Sequence, residues 1–503
     1  MVDDKTVSNK RGLLSSINFG QRVAEDESDV LASYFVETDH WRKLYAGEID
    51  IVYGPKGSGK SALYSLLNSK RDQFRARNII LAPAENPRGA TVFRDLLIDP
   101  PASVREFIGL WKLYFACVFY SIFSEYDIKT PSANELSEVL TSEKLVHGKM
   151  SLKAMLQSAT EYVRGIMRPQ AIEASMGTDP VTQLPKITGK IIFSEPTTSA
   201  NEAGFTSVDR LLDLANKALG ESNLQVWILL DRLDVAFAEN IELEQNALSA
   251  LFRVYLDMAG FTNIRLKIFL RTDIWNRLTS GGFREASHIT HHLTIEWNPS
   301  SLLNLVIRRI LHNEAIVAAY KIEPSSVLET TKSQEELFYR LFPTQVEVGS
   351  RKSKTFEWLL GRTKDGTGKN APRELIHILN SLRDIQVRRL EVGEAGLERE
   401  NLFERAAFKA ALSEVSKVRL EQTLYAEYPS LKPVIEKLAR TKTLHTLNSL
   451  ASIWMVSPDK ASEYAKQLVE VGFFEQRGTR EDLKYWVPFL YRDALDLVQG
   501  TAD

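Results

Sequence analysis

The sequence predicts an α/β fold: a parallel sheet sandwiched by helices, broken by a helical insertion and followed by a helical lid and a C-terminal winged-helix-like domain. Three observations carry this. Four short runs, "IDIVYG" (49–54), "NIILAPA" (78–84), "LQVWILLD" (224–231) and "RLKIFLRTD" (265–273), are nearly continuous in apolar residues, as strands buried on both faces are. Stretches with apolar residues at helical spacing separate them. After Trp297 helical patterns take over, and the chain closes on two helical stretches and a hairpin-like one, the order of a winged helix.

The elements follow in order. Residues 1–45 read as an N-terminal tail and an entry segment; "MVDDKTVSNKRGLLSS" lacks the apolar stretch of a signal peptide and is expected to be flexible. Residues 46–298 hold the α/β core, with a mainly helical insertion at about 104–205. Within it, "SANELSEVL" places Ser132 and Glu135 at capping-box spacing, and a hairpin is expected around "TGKIIFSEP". "SVDRLLDLANKALG" reads as a helix with Gly220 just past its end. "HHLTIEW" (291–297) is a fifth strand candidate. The lid, 299–395, opens with "SSLLNLVIRRILH", whose Leu302, Leu303, Val306, Ile307 and Ile310 share one face. In the last domain, 400–503, "TLHTLNSLASIW" and "SEYAKQLVEVG" read as helices and "FFEQRGTREDLKYWVPFL" as the hairpin.

Composition narrows the class. At 503 residues the chain exceeds one ordinary core, and 44% hydrophobic with 25% charged residues is ordinary for a globular protein. A net charge of −2 gives no overall pull toward nucleic acid or membrane. Cys117 is the single cysteine, which excludes an intrachain disulfide, fits a reducing compartment and sits in an apolar run as a core thiol would. No apolar run is read as long enough to span a bilayer, so a cytoplasmic protein without membrane contact is expected.

The chemistry begins at Gly54-Pro-Lys-Gly-Ser-Gly59-Lys60-Ser61, which fits G-x-x-x-x-G-K-[ST] between a strand-type run and a helical one. Glycines let backbone N–H groups turn inward around an anion, and the following helix adds unpaired donors and a positive dipole end. The motif implies a P-loop NTPase sheet that takes ATP and Mg²⁺. Gly54, Gly57, Ser58, Gly59, Lys60 and Ser61 would hold the nucleotide, with Lys60 on the β- and γ-phosphates and the Ser61 hydroxyl on the metal. Such a loop needs a carboxylate at the end of a neighbouring strand. Asp231, closing "LQVWILLD", is the metal-side candidate, and Asp234 is the candidate to position or deprotonate the attacking water.

These segments resemble a bacterial group of P-loop ATPases in the AAA+ superclass, the STAND and origin-initiator-like branches. "ILLDRLD" looks like their D-x-hydrophobic-D Walker B, "IFLRTDIW" (268–275) like their sensor strand, "APRELIHIL" (371–379) like their second sensor, and "FGQRVAEDE" (19–27) like their entry segment. The resemblance runs from about Phe19 to Leu382 and weakens beyond. It implies that Arg271 or Thr272 senses the γ-phosphate from the sheet and that Arg373 reaches it from the lid. A cation on a lid binds a triphosphate strongly only when the lid closes, so nucleotide state becomes domain geometry. Many relatives place a glutamate directly after the metal-binding Asp; here Arg232 stands there, which implies slow turnover.

Three functions stay open at the level of sequence. The first is an ATP-dependent switch that engages a protein partner, an effector or further copies of itself, in anti-phage defence or mobile-element biology as the resemblance implies. The second is an initiator-like ATPase that binds DNA through the winged helix, with Lys466, Arg477, Arg480 and Lys484 as contacts. The third is a non-hydrolysing nucleotide-bound scaffold. His288, His291 and His292 are discounted as a metal site, because adjacent strand residues point to opposite faces.

Overall fold

The computed structural model describes residues 4–21, 31–36, 38–85, 93, 96, 103–167, 191–193, 205–233, 240–394, 401–479 and 482–502. By its contacts the chain divides into two compact units: Asp39–Gly54 with Lys60–Ile295, and Met1–Thr38 with Pro55–Gly59 and Glu296–Asp503.

The first of these is the α/β unit. Its strands are β1 (Ile51–Gly54), β2 (Ile79–Pro83), the short β3 (Ile191–Ile192) and β4 (Thr206–Ser207), then β5 (Gln225–Leu230), β6 (Ile264–Arg271) and β7 (His292–Thr294). β2, β5, β6, β1 and β7 form one sheet in that order, and every pairing in it is parallel. The continuous apolar runs are therefore strands covered on both faces: all of β1 and Val226–Leu230 of β5 are buried. One expectation changes. β5, which leads into Asp231, is not the neighbour of β1, because β6 lies between them.

The insertion contributes the helix Val104–Glu125, whose Trp111, Tyr114 and Phe115 enter the main core. Ser103 caps it by accepting from the Glu106 amide. This helix is long and apolar enough to cross a bilayer, contrary to the sequence reading, but it is buried within the fold. Lys112, which interrupts the apolar run, bonds Asp209 and Asp257 at 2.6 Å each. Burial pushes the Cys117 thiol up to about 12, so it is an inert core group.

Three local features differ from the sequence expectation. The helix Pro131–Ser142 is capped by Thr130 with Pro131 in its first turn, while Ser132 donates to Glu221 instead. Gly220 lies inside the helix Val208–Glu221, where a Cβ would stand 3.0 Å from the Asn263 side chain; close approach, not a cap, explains the glycine. Ile191–Ile192 pairs in parallel with Thr206–Ser207 rather than as a hairpin, and most of the loop 169–203 lies outside the described residues.

The second unit is mainly helical. Its N-terminal segment is not a free tail. Leu14 in the helix Asp4–Ser16, and Ile17 and Phe19 just after it, are all buried. Arg309 donates to the Phe19 carbonyl at 2.6 Å, Arg383 to that of Ile17 and Asn380 to that of Gly20, both at 2.8 Å. The helix Pro299–Leu311 buries the apolar face expected of it, and the helix Pro372–Glu391 completes the lid region. At the C-terminal end come β8 (Lys442–Thr446), the helices Leu447–Trp454 and Pro458–Glu470, the hairpin β9 (Glu475–Arg477) and β10 (Lys484–Trp486), and β11 (Val498–Thr501). The sheet order is β11, β8, β10, β9, which gives the strand–helix–helix–hairpin layout of a winged helix. "TLHT", read as helix, is strand β8; Thr446 ends it and caps the next helix in a capping box with Ser449.

Candidate functional site

Within the α/β unit, β1 delivers Gly54 to the carboxyl edge of the sheet, and the helix Lys60–Ser69 begins at Lys60. Leu63, Tyr64, Leu66 and Leu67 bury one face of that helix and fix its first turn, where Lys60 and Ser61 sit. The Lys60 ammonium donates to the Gly54 carbonyl at 2.9 Å, back across the loop. Asp231 is the first residue beyond β5 and is 5% exposed. Arg232 follows in the left-handed region at φ 58°, a conformation that costs a non-glycine residue energy and gathers at functional sites. Asp234 lies outside the described residues.

Arg271 ends β6 and pairs in register with Gly54, so the strand reading brings it to the right edge of the sheet. Its guanidinium, however, forks onto Asp273 at 3.0 and 2.9 Å. Asp273 lies 3.6 Å from Arg277, which bonds Glu244 at 2.6 Å. Burial raises the Asp273 carboxyl, but Arg271 and then Arg277 outweigh that and hold it below its ordinary range. The neighbouring Thr272 opens the helix Thr272–Ser280, and its hydroxyl oxygen is buried with no hydrogen-bond partner among the described residues.

Glu85 was missed by the sequence reading. It stands just past β2 and is 1% exposed. The signal was present: "NIILAPAE" is an apolar run closed by an acid, the same pattern that singled out Asp231.

The helical unit holds the middle of the glycine-rich loop, Pro55–Gly59. Gly57 and Gly59 have φ of 77° and 98°, which glycine adopts freely. The Ser58 amide donates to the Pro55 carbonyl at 3.2 Å, and Ser58 is almost fully buried. Three residues distant in sequence brace the loop. The Trp297 indole donates to the Ser58 carbonyl at 2.8 Å, and Glu427 pairs with Lys56. Arg373 packs directly on Gly57, where an added Cβ would stand 2.9 Å from the Arg373 Cβ. Pro372 opens the helix that Arg373 starts, as expected. Neither Trp297 nor Glu427 carried a sequence signal, because only the tertiary fold brings them to the loop.

Behind Arg373, a buried clamp continues. Arg419 bonds Glu374 at 2.7 Å and lies 3.7 Å from Asp365, and the Gly366 amide next to Asp365 donates to Gly472 at the end of the second winged-helix helix at 2.7 Å. On the hairpin, Arg477 pairs with Glu475 at 2.8 Å and stacks over Trp486 at 3.5 Å, and Lys484 pairs with Asp482 at 3.0 Å. Arg480 lies outside the described residues. Lys466 is exposed on the second helix beside Glu463 and Glu470.

No family model matches the chain, and no curated protein does. Among solved structures, an ORC1 protein of Aeropyrum pernix in complex with DNA is 11% identical, with 95% of this chain and 96% of that chain covered at a TM-score of 0.37. An Aeropyrum pernix ORC2 protein, in ADPNP–ADP complexes, is 13% identical, with 95% and 94% covered at a TM-score of 0.35. Likeness of that degree carries no weight for what this chain binds or does.

Proposed function

We propose that the chain is an ATP-binding switch that hydrolyses ATP slowly and converts nucleotide state into closure of its helical lid. The observation that carries the proposal is the complete G-x-x-x-x-G-K-S loop between a buried strand and a helix, with Arg373 packed against Gly57. Lys60 would leave the Gly54 carbonyl for the β- and γ-phosphates, a stronger charge-assisted partner. Arg373 would bind the γ-phosphate and so distinguish ATP from ADP.

Ser61 and Asp231 offer the hard oxygen donors that Mg²⁺ takes, and one or two protein ligands beside phosphate suffice for it. They would hold the ion, which when bound neutralises charge developing on the phosphates. Thr272, whose buried hydroxyl has no partner among the described residues, is favoured over Arg271 as the sheet-side sensor, since the Arg271 fork is occupied by Asp273.

The Arg419 clamp offers a route from the turn of Arg373 to the winged helix, so lid closure would alter a partner-facing surface there. The ion pairs within the wing, and the acidic residues beside Lys466, favour a protein partner or a second copy over duplex DNA. A role beside an effector in anti-phage defence rests on the sequence resemblance alone.

The test is equilibrium binding of ATP and ADP with Mg²⁺ by calorimetry. Lys60→Ala is expected to lose both nucleotides, and Arg373→Ala to lose the preference for ATP while keeping ADP. Binding of ATP by Lys60→Ala at wild-type strength would refute the proposal.

A further inference from the structure

We infer that Glu85 is the general base of ATP hydrolysis, supplying the carboxylate that Arg232 cannot; the inference rests on the nucleotide site proposed above. β2 and β5 are parallel neighbours with Pro83 opposite Leu229, and the Ala84 amide continues the ladder by donating to the Leu229 carbonyl at 3.0 Å. Continued two residues past the Pro83–Leu229 pair, the same register brings Glu85 level with Asp231, one ordinary sheet spacing of about 4.8 Å away. Both acids are buried at the carboxyl edge of the sheet, where open α/β folds bind their ligands.

The surroundings tie Glu85 to the phosphate-loop helix. Tyr64 lies one helical turn beyond Lys60, on the same face. Its phenol is pushed up by burial, then by the charges of Asp231 and Glu85. One side chain of that helix thus feels both carboxylates.

The backbone under Glu85 is pinned from the insertion: the Tyr114 hydroxyl donates to the Ala84 carbonyl at 2.8 Å, in a fully buried contact. A base for in-line attack must be held in place, and this anchor supplies that. It also gives the helix Val104–Glu125 a role beyond core packing.

In the step, Glu85 accepts a proton from a water whose oxygen attacks the γ-phosphorus. A new P–O bond forms as the bond from the γ-phosphorus to the bridging oxygen breaks. The electron pair leaves on the β-phosphate of ADP, and the proton on Glu85 passes to the released phosphate.

The experiment uses the full chain and three variants, Glu85→Gln, Glu85→Asp and Asp234→Asn. It measures ATP affinity by calorimetry, single-turnover hydrolysis of radiolabelled ATP, the pH dependence of that rate, and thermal unfolding. Glu85→Gln is expected to bind ATP within about threefold of wild type and to hydrolyse it at least ~10²-fold more slowly, the lower range for loss of a general base. Nucleotide recovered from it should remain ATP. Glu85→Asp keeps the charge but withdraws the carboxylate, so it should fold, bind ATP and lose rate.

Wild-type rates in both Glu85 variants, or hydrolysis lost in Asp234→Asn but kept in Glu85→Gln, would overturn the assignment. Wild-type protein that binds ATP without turning it over would also overturn it. A wild type that binds no ATP at all would refute the nucleotide site itself.

Discussion

Gly57 occupies a position that the phosphate-loop motif leaves open, yet the structure makes it intolerant of even one methyl group. Its φ is 77°, and an L residue forced there pays about 1–2 kcal/mol. The new Cβ would also stand 2.9 Å from the Arg373 Cβ and 3.5 Å from the Ala371 Cβ, the first well inside the ~3.5–4.0 Å optimum for carbon contacts. If the free loop of Gly57→Ala relaxes away from Arg373, the binding geometry must be restored when ATP enters. The backbone part alone then weakens ATP binding about 5- to 30-fold, at 1.4 kcal/mol per tenfold. Gly393→Ala is the control: its φ is 74°, but nothing lies within 4 Å of an added Cβ, so it carries the backbone cost without the clash. Calorimetric ATP affinity and thermal unfolding of both variants, beside wild type, separate the terms. Gly57→Ala with unchanged affinity and unchanged unfolding would refute the packing of Arg373 on the loop.

Two further perturbations address other parts of the account. Arg419→Met should destabilise the helical unit by about 3–5 kcal/mol, the cost of stranding a buried partner, here Glu374, with the half-buried Asp365 beside it, and should also weaken ATP binding through the adjacent Arg373; an unchanged urea midpoint would contradict this. Burial pushes the His445 imidazole down to about 4 from 6.5, so between those pH values the unfolded chain binds a proton that the folded one excludes, and stability should fall by up to about 3 kcal/mol as pH drops from 6.5 to 4. His445→Phe should flatten that slope in denaturant titrations, and an unaltered slope would show that His445 is not its source.

Much of the fold was legible because its signals are local. Strands covered on both faces must be apolar throughout, so β1, β5 and β6 stood out as runs. The loop and its Lys60 are a contiguous motif, and Arg373 was marked by the proline before it. What escaped was set by tertiary structure. Sequence adjacency does not encode that β6 inserts between β1 and β5. Gly220 looked like a helix end, but its reason is the Asn263 side chain packed against it. The N-terminal helix has weak apolar periodicity, and the segment just after it is held by arginine and asparagine bonds from distant helices to the Ile17, Phe19 and Gly20 carbonyls. Within the site, Asp231 was found because its strand run closes on an acid. Glu85 carried the same mark, and only the β2–β5 register gives it a function.

The most direct test of the central claim is steady-state ATP hydrolysis by the purified chain with Mg²⁺, alone and with duplex DNA, beside Lys60→Ala. Slow hydrolysis by the wild type, absent in Lys60→Ala and unmoved by DNA, is the predicted result. Hydrolysis that persists in Lys60→Ala would contradict the account, because the loop around Gly54 and Lys60 would then not be the site.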